Sequence, residues 1–267
     1  MKIVKDGVAE EDRAYAMDIL CKLRAGNRVF GSPAAALSKT LSHLEENAPA
    51  KDSNEDIHYY LNNKEYEAKV SKLKKGIKGE KTLAEYFEKI IRLDKSLSDI
   101  IAIASLGSEG TGDEEYISDT DFLILYGNNI LIVDSKCINT NPSIPLFVRG
   151  HGVYSAVNHD EPILEVNPAT HYWKKTIANE YHKEIGYVNG CVVIINKSGA
   201  QIFKDGEWWK SDIKPLHISE LVDYLKTWID GKEPTVDLAL LVTIMKHQVW
   251  AQKSTMDLTK AKRMLRV

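Results

Sequence analysis

The sequence predicts an α/β fold in which a mixed central sheet is covered by helices on both faces. Residues 122–125 and 130–133 are apolar without alternation, which is typical of central strands buried on both sides. Residues 82–91 carry their apolar side chains at helical spacing. A chain of 267 residues is also long enough to bury a sizeable core.

The first 70 residues are predicted to form a helical N-terminal region. Residues 10–23 carry an apolar stripe, and Ser32-Pro33 is a favourable helix start. Residues 47–54 are polar and contain a proline, so we expect a linker there. A charged helix over residues 56–75 is expected to lead into the next region.

Residues 71–232 are predicted to form the α/β domain. Residues 100–106 resemble a strand, and the glycine-rich stretch after them runs into acidic residues, so we expect a loop rather than a phosphate cradle. Proline and glycine in residues 137–166 predict a hairpin or an irregular insertion. Further along the chain we expect a helix that begins at Asn167-Pro168 and ends near residue 181. We also expect strands at 191–195 and 202–203 and a helix at 216–228.

Residues 233–267 are predicted to be a helical C-terminal extension, with helices at 236–250 and 257–265. Their apolar residues could pack on the N-terminal helices or join the subunits of a homo-oligomer. Both arrangements stay open at this point.

Two acidic residues and a lysine lie at one end of the hairpin predicted over residues 120–136. With Asn128-Asn129 as a two-residue turn, Asp121 would lie opposite Lys136. Asp121, Asp134 and Lys136 would then share one face, with the two carboxylates as diagonal neighbours roughly 7–8 Å apart. A slip of one residue would turn Asp121 to the other face.

Such a pair of carboxylates indicates a cation site. Adjacent carboxylates repel, and a cation together with the Lys136 ammonium would relieve the repulsion. Hard oxygen ligands without a thiolate or an imidazole pair favour Mg²⁺ or Mn²⁺ over Zn²⁺. The ion could polarise a phosphoryl oxygen and lower the pKa of a bound water. Taken alone, an Asp-x-Lys pattern also fits an ordinary ion pair at a strand end.

Several motifs follow one another in a definite order over about residues 71–230. Gly76-x-x-Gly79-Glu80 precedes a helix, Asp121 opens a strand, Asp134-x-Lys136 closes the next strand, and Asn167-Pro168 opens a later helix. This order resembles the nuclease-related domain (NERD) family of the PD-(D/E)xK nuclease superfamily. The resemblance implies a three-layer core of the restriction-endonuclease type.

The resemblance also implies a metal-dependent nuclease that hydrolyses phosphodiester bonds, with DNA as the expected substrate and Mg²⁺ or Mn²⁺ as the cofactor. It implies Asp121 and Asp134 as metal ligands, Lys136 as the catalytic lysine, and Glu80 as a group that completes the metal shell or orients water. The alternative for Glu80 is a helix N-terminal acid that favours the macrodipole.

Two positions depart from the family pattern. Asp134 stands where the family usually has Glu, and it is shorter by one methylene group. His171 stands where the family has Gln after the Asn-Pro pair. His171 could contact phosphate, donate to a ligand or have a structural role.

Local charge indicates a nucleic-acid partner, although the formal net charge is −3. Lys74, Lys75 and Lys78 belong to a lysine cluster just before Glu80, and such clusters can neutralise phosphates. A solvated helix face is the alternative. A nuclease-fold protein without catalysis, acting as a nucleic-acid-binding or scaffold module, is the alternative function.

The remaining signals concern the compartment. The 3 cysteines show neither metal-ligand spacing nor an even count, which indicates a reducing environment. The sequence shows no secretory h-region and no apolar run that approaches a membrane span. We therefore expect a cytoplasmic protein without a membrane partner.

Overall fold

The computed structural model describes residues 1–48, 57–107, 119–137, 146–149, 152–154, 159–160, 162–195, 202–204 and 213–248. The α-helices in these residues are α1 (Arg13–Arg24), α2 (Ala35–Glu46), α3 (Ile57–Leu93), α4 (Pro162–Tyr181), α5 (Leu221–Ile229) and α6 (Leu238–Lys246). The strands are β1 (Lys2–Val4), β2 (Val29–Phe30), β3 (Ile101–Gly107), β4 (Asp119–Tyr126), β5 (Asn129–Cys137), β6 (Leu146–Arg149), β7 (Gly152–Tyr154), β8 (His159–Asp160), β9 (Val188–Ile195), β10 (Ile202–Lys204), β11 (Lys214–His217) and β12 (Thr235–Asp237).

A mixed sheet of six strands forms the centre of the described fold, in the order β11-β9-β5-β4-β3-β2. Strand β4 is antiparallel to β3 and β5, whereas the other neighbouring pairs are parallel. A smaller sheet has the order β10-β6-β7-β8, and β1 pairs with β12. The prediction of an α/β fold with a mixed central sheet is confirmed.

Buried side chains cover both faces of the central sheet. On one face Leu123 and Ile132 pack with apolar residues of α1, α4 and α6. On the other face Phe122 and Val133 pack with apolar residues of α3 and α5. Strands β4 and β5 are therefore central strands covered on both sides, as their sequence predicts, and the arrangement is compatible with three layers.

Helix α3 corrects the prediction for residues 71–82. It runs through 37 residues without a break, so Gly76 and Gly79 lie inside a helix and not in a turn before one. A Cβ added at Gly79 would lie 3.0 Å from the Cys137 Cβ, and one at Gly76 would lie 2.7 Å from a Leu37 methyl carbon. The two glycines therefore allow close approach of β5 and α2, and the boundary predicted after residue 70 falls within this helix.

The hairpin of β4 and β5 has a different register from the one predicted. Tyr126 pairs with Asn129, so Gly127 and Asn128 form the turn. Gly127 has φ +59, as the first central residue of a type II′ turn requires, and glycine adopts this φ at no steric cost. Relative to the prediction, the pairing shifts by two residues, which keeps the paired residues 122–126 and 129–133 on their predicted faces.

Other boundaries also differ from the predictions. Helix α4 begins at Pro162, before Asn167-Pro168, because proline is well suited to the first turn of a helix. Residues 202–203 belong to a strand of the smaller sheet and not to the central one. The predicted linker, the glycine-rich loop after 107 and the helix at 257–265 lie largely or wholly outside the described residues. Within the part of the chain described here, no helix is long and apolar enough to cross a membrane.

Candidate functional site

The Asp121 carboxylate, at the start of β4, is held by Ser135 of β5. Asp121 Oδ2 accepts hydrogen bonds from the Ser135 backbone N–H at 2.6 Å and from the Ser135 hydroxyl at 2.7 Å. The last backbone pair of the hairpin is Phe122 with Val133. Hydrogen-bonded pairs alternate along an antiparallel ladder, so the Ser135 N–H would otherwise reach the Thr120 carbonyl. The Asp121 side chain therefore replaces a backbone acceptor where the ladder ends.

Asp134 and Lys136 occupy alternate positions near the end of β5. The Lys136 ammonium lies 3.4 Å from Asp134 Oδ2, and the two side chains are only 20% and 17% exposed. The predicted register, with Asp121 opposite Lys136, is wrong. The pairing of β4 with β5 ends at Phe122 with Val133, and Asp121 lies beyond it, bonded to Ser135 between Asp134 and Lys136.

The charge of Asp134 also acts across the sheet on Cys191, in the neighbouring strand β9. Cys191 is completely buried and lies in register with Val133. Burial, with a further contribution from the Asp134 carboxylate, raises the pKa of the Cys191 thiol far above its usual range. This thiol therefore stays protonated near neutral pH and does not supply a nucleophile.

Glu80 is buried inside α3, with only 1% of its surface exposed. Its Oε2 accepts a hydrogen bond of 2.8 Å from the Ala34 backbone N–H. The interpretation of Glu80 as a helix N-terminal acid is wrong, because α3 begins at Ile57. The neighbouring residue, Gly79, lies against Ser135 and Cys137 and so brings this part of α3 to the end of β5.

The backbone around Glu80 carries two left-handed residues that sequence reasoning missed. Ala34 has φ 59 and Ser105 has φ 53, a conformation that side chains other than glycine rarely adopt. The Ser105 hydroxyl accepts from the Ala35 N–H and donates to the Ser32 carbonyl. The segment before α2 is thus bonded both to α3 and to β3. Only glycine or asparagine at these positions would have signalled the conformation in the sequence.

The structure places Trp173, and not His171, beside the start of β4. The Trp173 indole N–H donates to the Thr120 hydroxyl at 2.8 Å, and both side chains are buried. His171 is exposed, since residues two positions apart on a helix point about 200° from each other. Sequence reasoning did not identify Trp173 or Thr120 as part of this region.

The three lysines predicted to bind nucleic acid are exposed on α3. Lys74, Lys75 and Lys78 come just before Gly79 in α3, and Gly79 is the residue that lies against the end of β5. Lys74 also forms an ion pair of 3.2 Å with Glu45 of α2. The lysines therefore lie on the part of α3 that leads up to the candidate site.

The described residues contain no group of three or more His, Cys, Asp or Glu side chains arranged to hold a metal ion. Asp121 and Asp134 provide two carboxylates near the end of the β4–β5 hairpin, the first bonded to Ser135 and the second paired with Lys136. Mg²⁺ commonly binds through one or two carboxylates and completes its shell with waters and substrate phosphates, so the pair fits this ion. Comparison of the chain with protein-family models, curated proteins and solved structures finds no match.

Proposed function

We propose that the protein is a metal-dependent nuclease that hydrolyses phosphodiester bonds in DNA. The observation that carries the proposal is the meeting of Asp121, Asp134 and Lys136 at one end of two buried strands. The ion pair of Asp134 with Lys136 and the two hydrogen bonds to Asp121 hold these side chains in place. Charged groups so near a buried sheet are costly unless they are paired or bind a ligand.

In this proposal Asp121 and Asp134 hold one Mg²⁺ ion. When bound, such an ion polarises a phosphoryl oxygen and lowers the pKa of a water molecule. Lys136 orients the attacking water or compensates the charge that develops on the phosphate. Glu80, buried beside this end of the sheet, completes the shell of ligands or orients water.

The order of elements supports a core of the restriction-endonuclease type, which we propose as the fold family in line with the resemblance to NERD proteins. Helix α3 is followed by the meander β3-β4-β5, then by α4 and by β9, which pairs with β5 in parallel. Helices α3 and α4 cover opposite faces of the sheet. A cytoplasmic location fits the proposed substrate.

We further propose that Lys74, Lys75, Lys78 and His171 contact the phosphate backbone. All four side chains are exposed, and the lysines lead along α3 to the carboxylates. Contacts of this kind fix the position of the duplex without selecting its sequence. DNA binding should therefore weaken steeply as the salt concentration rises.

A cleavage assay with two matched pairs of variants tests the proposal. Purified protein is incubated with plasmid and linear DNA in Mg²⁺ or Mn²⁺, with a chelator as a second arm. Asp134→Ala and Lys136→Ala should abolish cutting, whereas the exposed positions Asp230→Ala and Lys89→Ala should retain it. Undiminished cutting by either site variant would refute the residue roles.

A second candidate function is a nucleic-acid-binding module that has lost catalysis. It is favoured by the hydrogen bond that Glu80 Oε2 accepts from the Ala34 N–H, because the proposed reaction requires the same carboxylate to bind metal or water. Metal-dependent DNA binding without any cleavage, measured on the same preparations, would support this candidate over the nuclease.

A further inference from the structure

We propose that Ser135 is a positioning residue that orients the Asp121 carboxylate for metal binding. The inference rests on the proposed function, because it concerns the same cation site. Ser135 is the middle residue of the Asp134-x-Lys136 motif, a position at which sequence reasoning assigned no role to the side chain. Its backbone N–H and its hydroxyl both donate to a single oxygen, Asp121 Oδ2.

Two donors on one oxygen fix the plane of the carboxylate. The terminal torsion of an aspartate is otherwise broad, so an isolated Asp121 side chain would sample many orientations. The two donors lie 2.6 and 2.7 Å from the same oxygen, so together they restrain this torsion.

The Ser135 hydroxyl is itself held in a defined place. Ser135 is only 9% exposed, and β5 pairs with β9 on the side away from Asp121, with Ser135 in register with Val193. A Cβ added at Gly79 would lie 3.7 Å from the Ser135 Oγ, so the glycine keeps α3 close above the hydroxyl. A residue at 135 without a hydroxyl would lose one of the two donors.

Binding of Mn²⁺ to the full-length protein, measured by isothermal titration calorimetry without DNA, tests the inference. Ser135→Ala should weaken binding by about 3- to 10-fold, because one of two charge-assisted donors is lost. Ser135→Thr retains the hydroxyl and should bind within about twofold of the wild type. Ser42→Ala, at an exposed position of α2, is the matched control and should leave the affinity unchanged.

The outcomes separate this inference from the proposed function. Equal Mn²⁺ affinity in the wild type and in Ser135→Ala overturns the positioning role and leaves the nuclease proposal standing. No Mn²⁺ binding by the wild type overturns both. Melting curves of the metal-free proteins check folding. If Ser135→Ala does not fold, Ser135→Cys replaces it in the experiment, because the thiol has a similar shape and is a weaker donor. The inference then requires Ser135→Cys to weaken Mn²⁺ binding. Unchanged Mn²⁺ binding by Ser135→Cys overturns the inference.

Discussion

Substitution of Gly76 and of Gly79 by alanine should have different effects on stability, although both positions lie in the same helix, α3. Alanine is more favourable than glycine inside a helix by about 1 kcal/mol. At Gly76 the new methyl group meets the tip of Leu37, a flexible side chain that can rotate away. We therefore expect Gly76→Ala to raise the free energy of unfolding by up to about 1 kcal/mol.

At Gly79 the new methyl group lies 3.0 Å from the Cβ of Cys137, which is fixed to the backbone of β5. Overpacking of this kind typically costs about 1–3 kcal/mol, which exceeds the gain in helix propensity. Gly79→Ala should therefore be neutral or destabilising by up to about 2 kcal/mol. The two variants should differ by about 1–3 kcal/mol.

Urea unfolding followed by circular dichroism measures this difference directly, and thermal melting gives an independent value of about 2–4 °C per kcal/mol. Each variant serves as the control for the other, since both remove one glycine from α3. Equal stabilisation by the two substitutions would refute the close contact between α3 and β5. Destabilisation by both would indicate a turn at residues 76–79 instead of a continuous helix.

Substitutions at three further positions test single groups by urea unfolding. Glu80→Ala should cost about 1–3 kcal/mol, because the Ala34 N–H loses its acceptor, whereas Glu80→Gln should cost less; equal losses would contradict the bond. The hydrogen bond from Lys226 lowers the pKa of Asp94 from 3.8 to about 2, so its contribution should be lost as pH falls from about 4 to about 2. Asp94→Asn should remove this dependence. Burial raises the pKa of Tyr15 from 10.0 to about 12, so stability should fall as pH rises through this window, and Tyr15→Phe should abolish the fall.

The hairpin shows which parts of the site the sequence determines locally. The alternation of side chains along a strand depends only on parity, so Asp134 and Lys136 still share one face of β5 after the change of turn. Asp121 lies beyond the last pair, Phe122 with Val133, and bonds to Ser135, whose side chain alternates with theirs. The turn itself was predicted wrongly because the segment 127–129 offers two good pairs of turn residues. Glycine at the first central position decides between them, since it adopts positive φ without strain.

The environment of Glu80 shows what the sequence alone does not reveal. A glycine in a helical pattern weakens the prediction that the helix continues, and only the tertiary structure shows that the two glycines of α3 face Cys137 and Leu37. The partner of Glu80, the Ala34 N–H, is 46 positions away and is a backbone group, which leaves no trace in residue type. Contacts of this kind depend on the tertiary fold and not on local pattern.

The end of the β4–β5 ladder explains why an acid at a strand end can have two roles. Backbone pairing stops at Phe122 and Val133, so the Ser135 N–H needs another acceptor, and the Asp121 carboxylate supplies it. The same carboxylate then brings negative charge beside Asp134. Stability and cation binding therefore depend on different properties of one side chain, namely its acceptor oxygen and its charge.

Two substitutions of Asp121 separate these properties. Asp121→Asn keeps an acceptor oxygen for the two Ser135 donors and removes the charge, so its free energy of unfolding should stay within about 1 kcal/mol of the wild type. Asp121→Ala removes both and should lose about 1–3 kcal/mol more, because a buried N–H is left without its acceptor. Both variants should lose Mn²⁺ binding in calorimetry. Equal stability of the two variants would show that the carboxylate does not terminate the ladder, and retained Mn²⁺ affinity in Asp121→Asn would exclude Asp121 as a charged ligand.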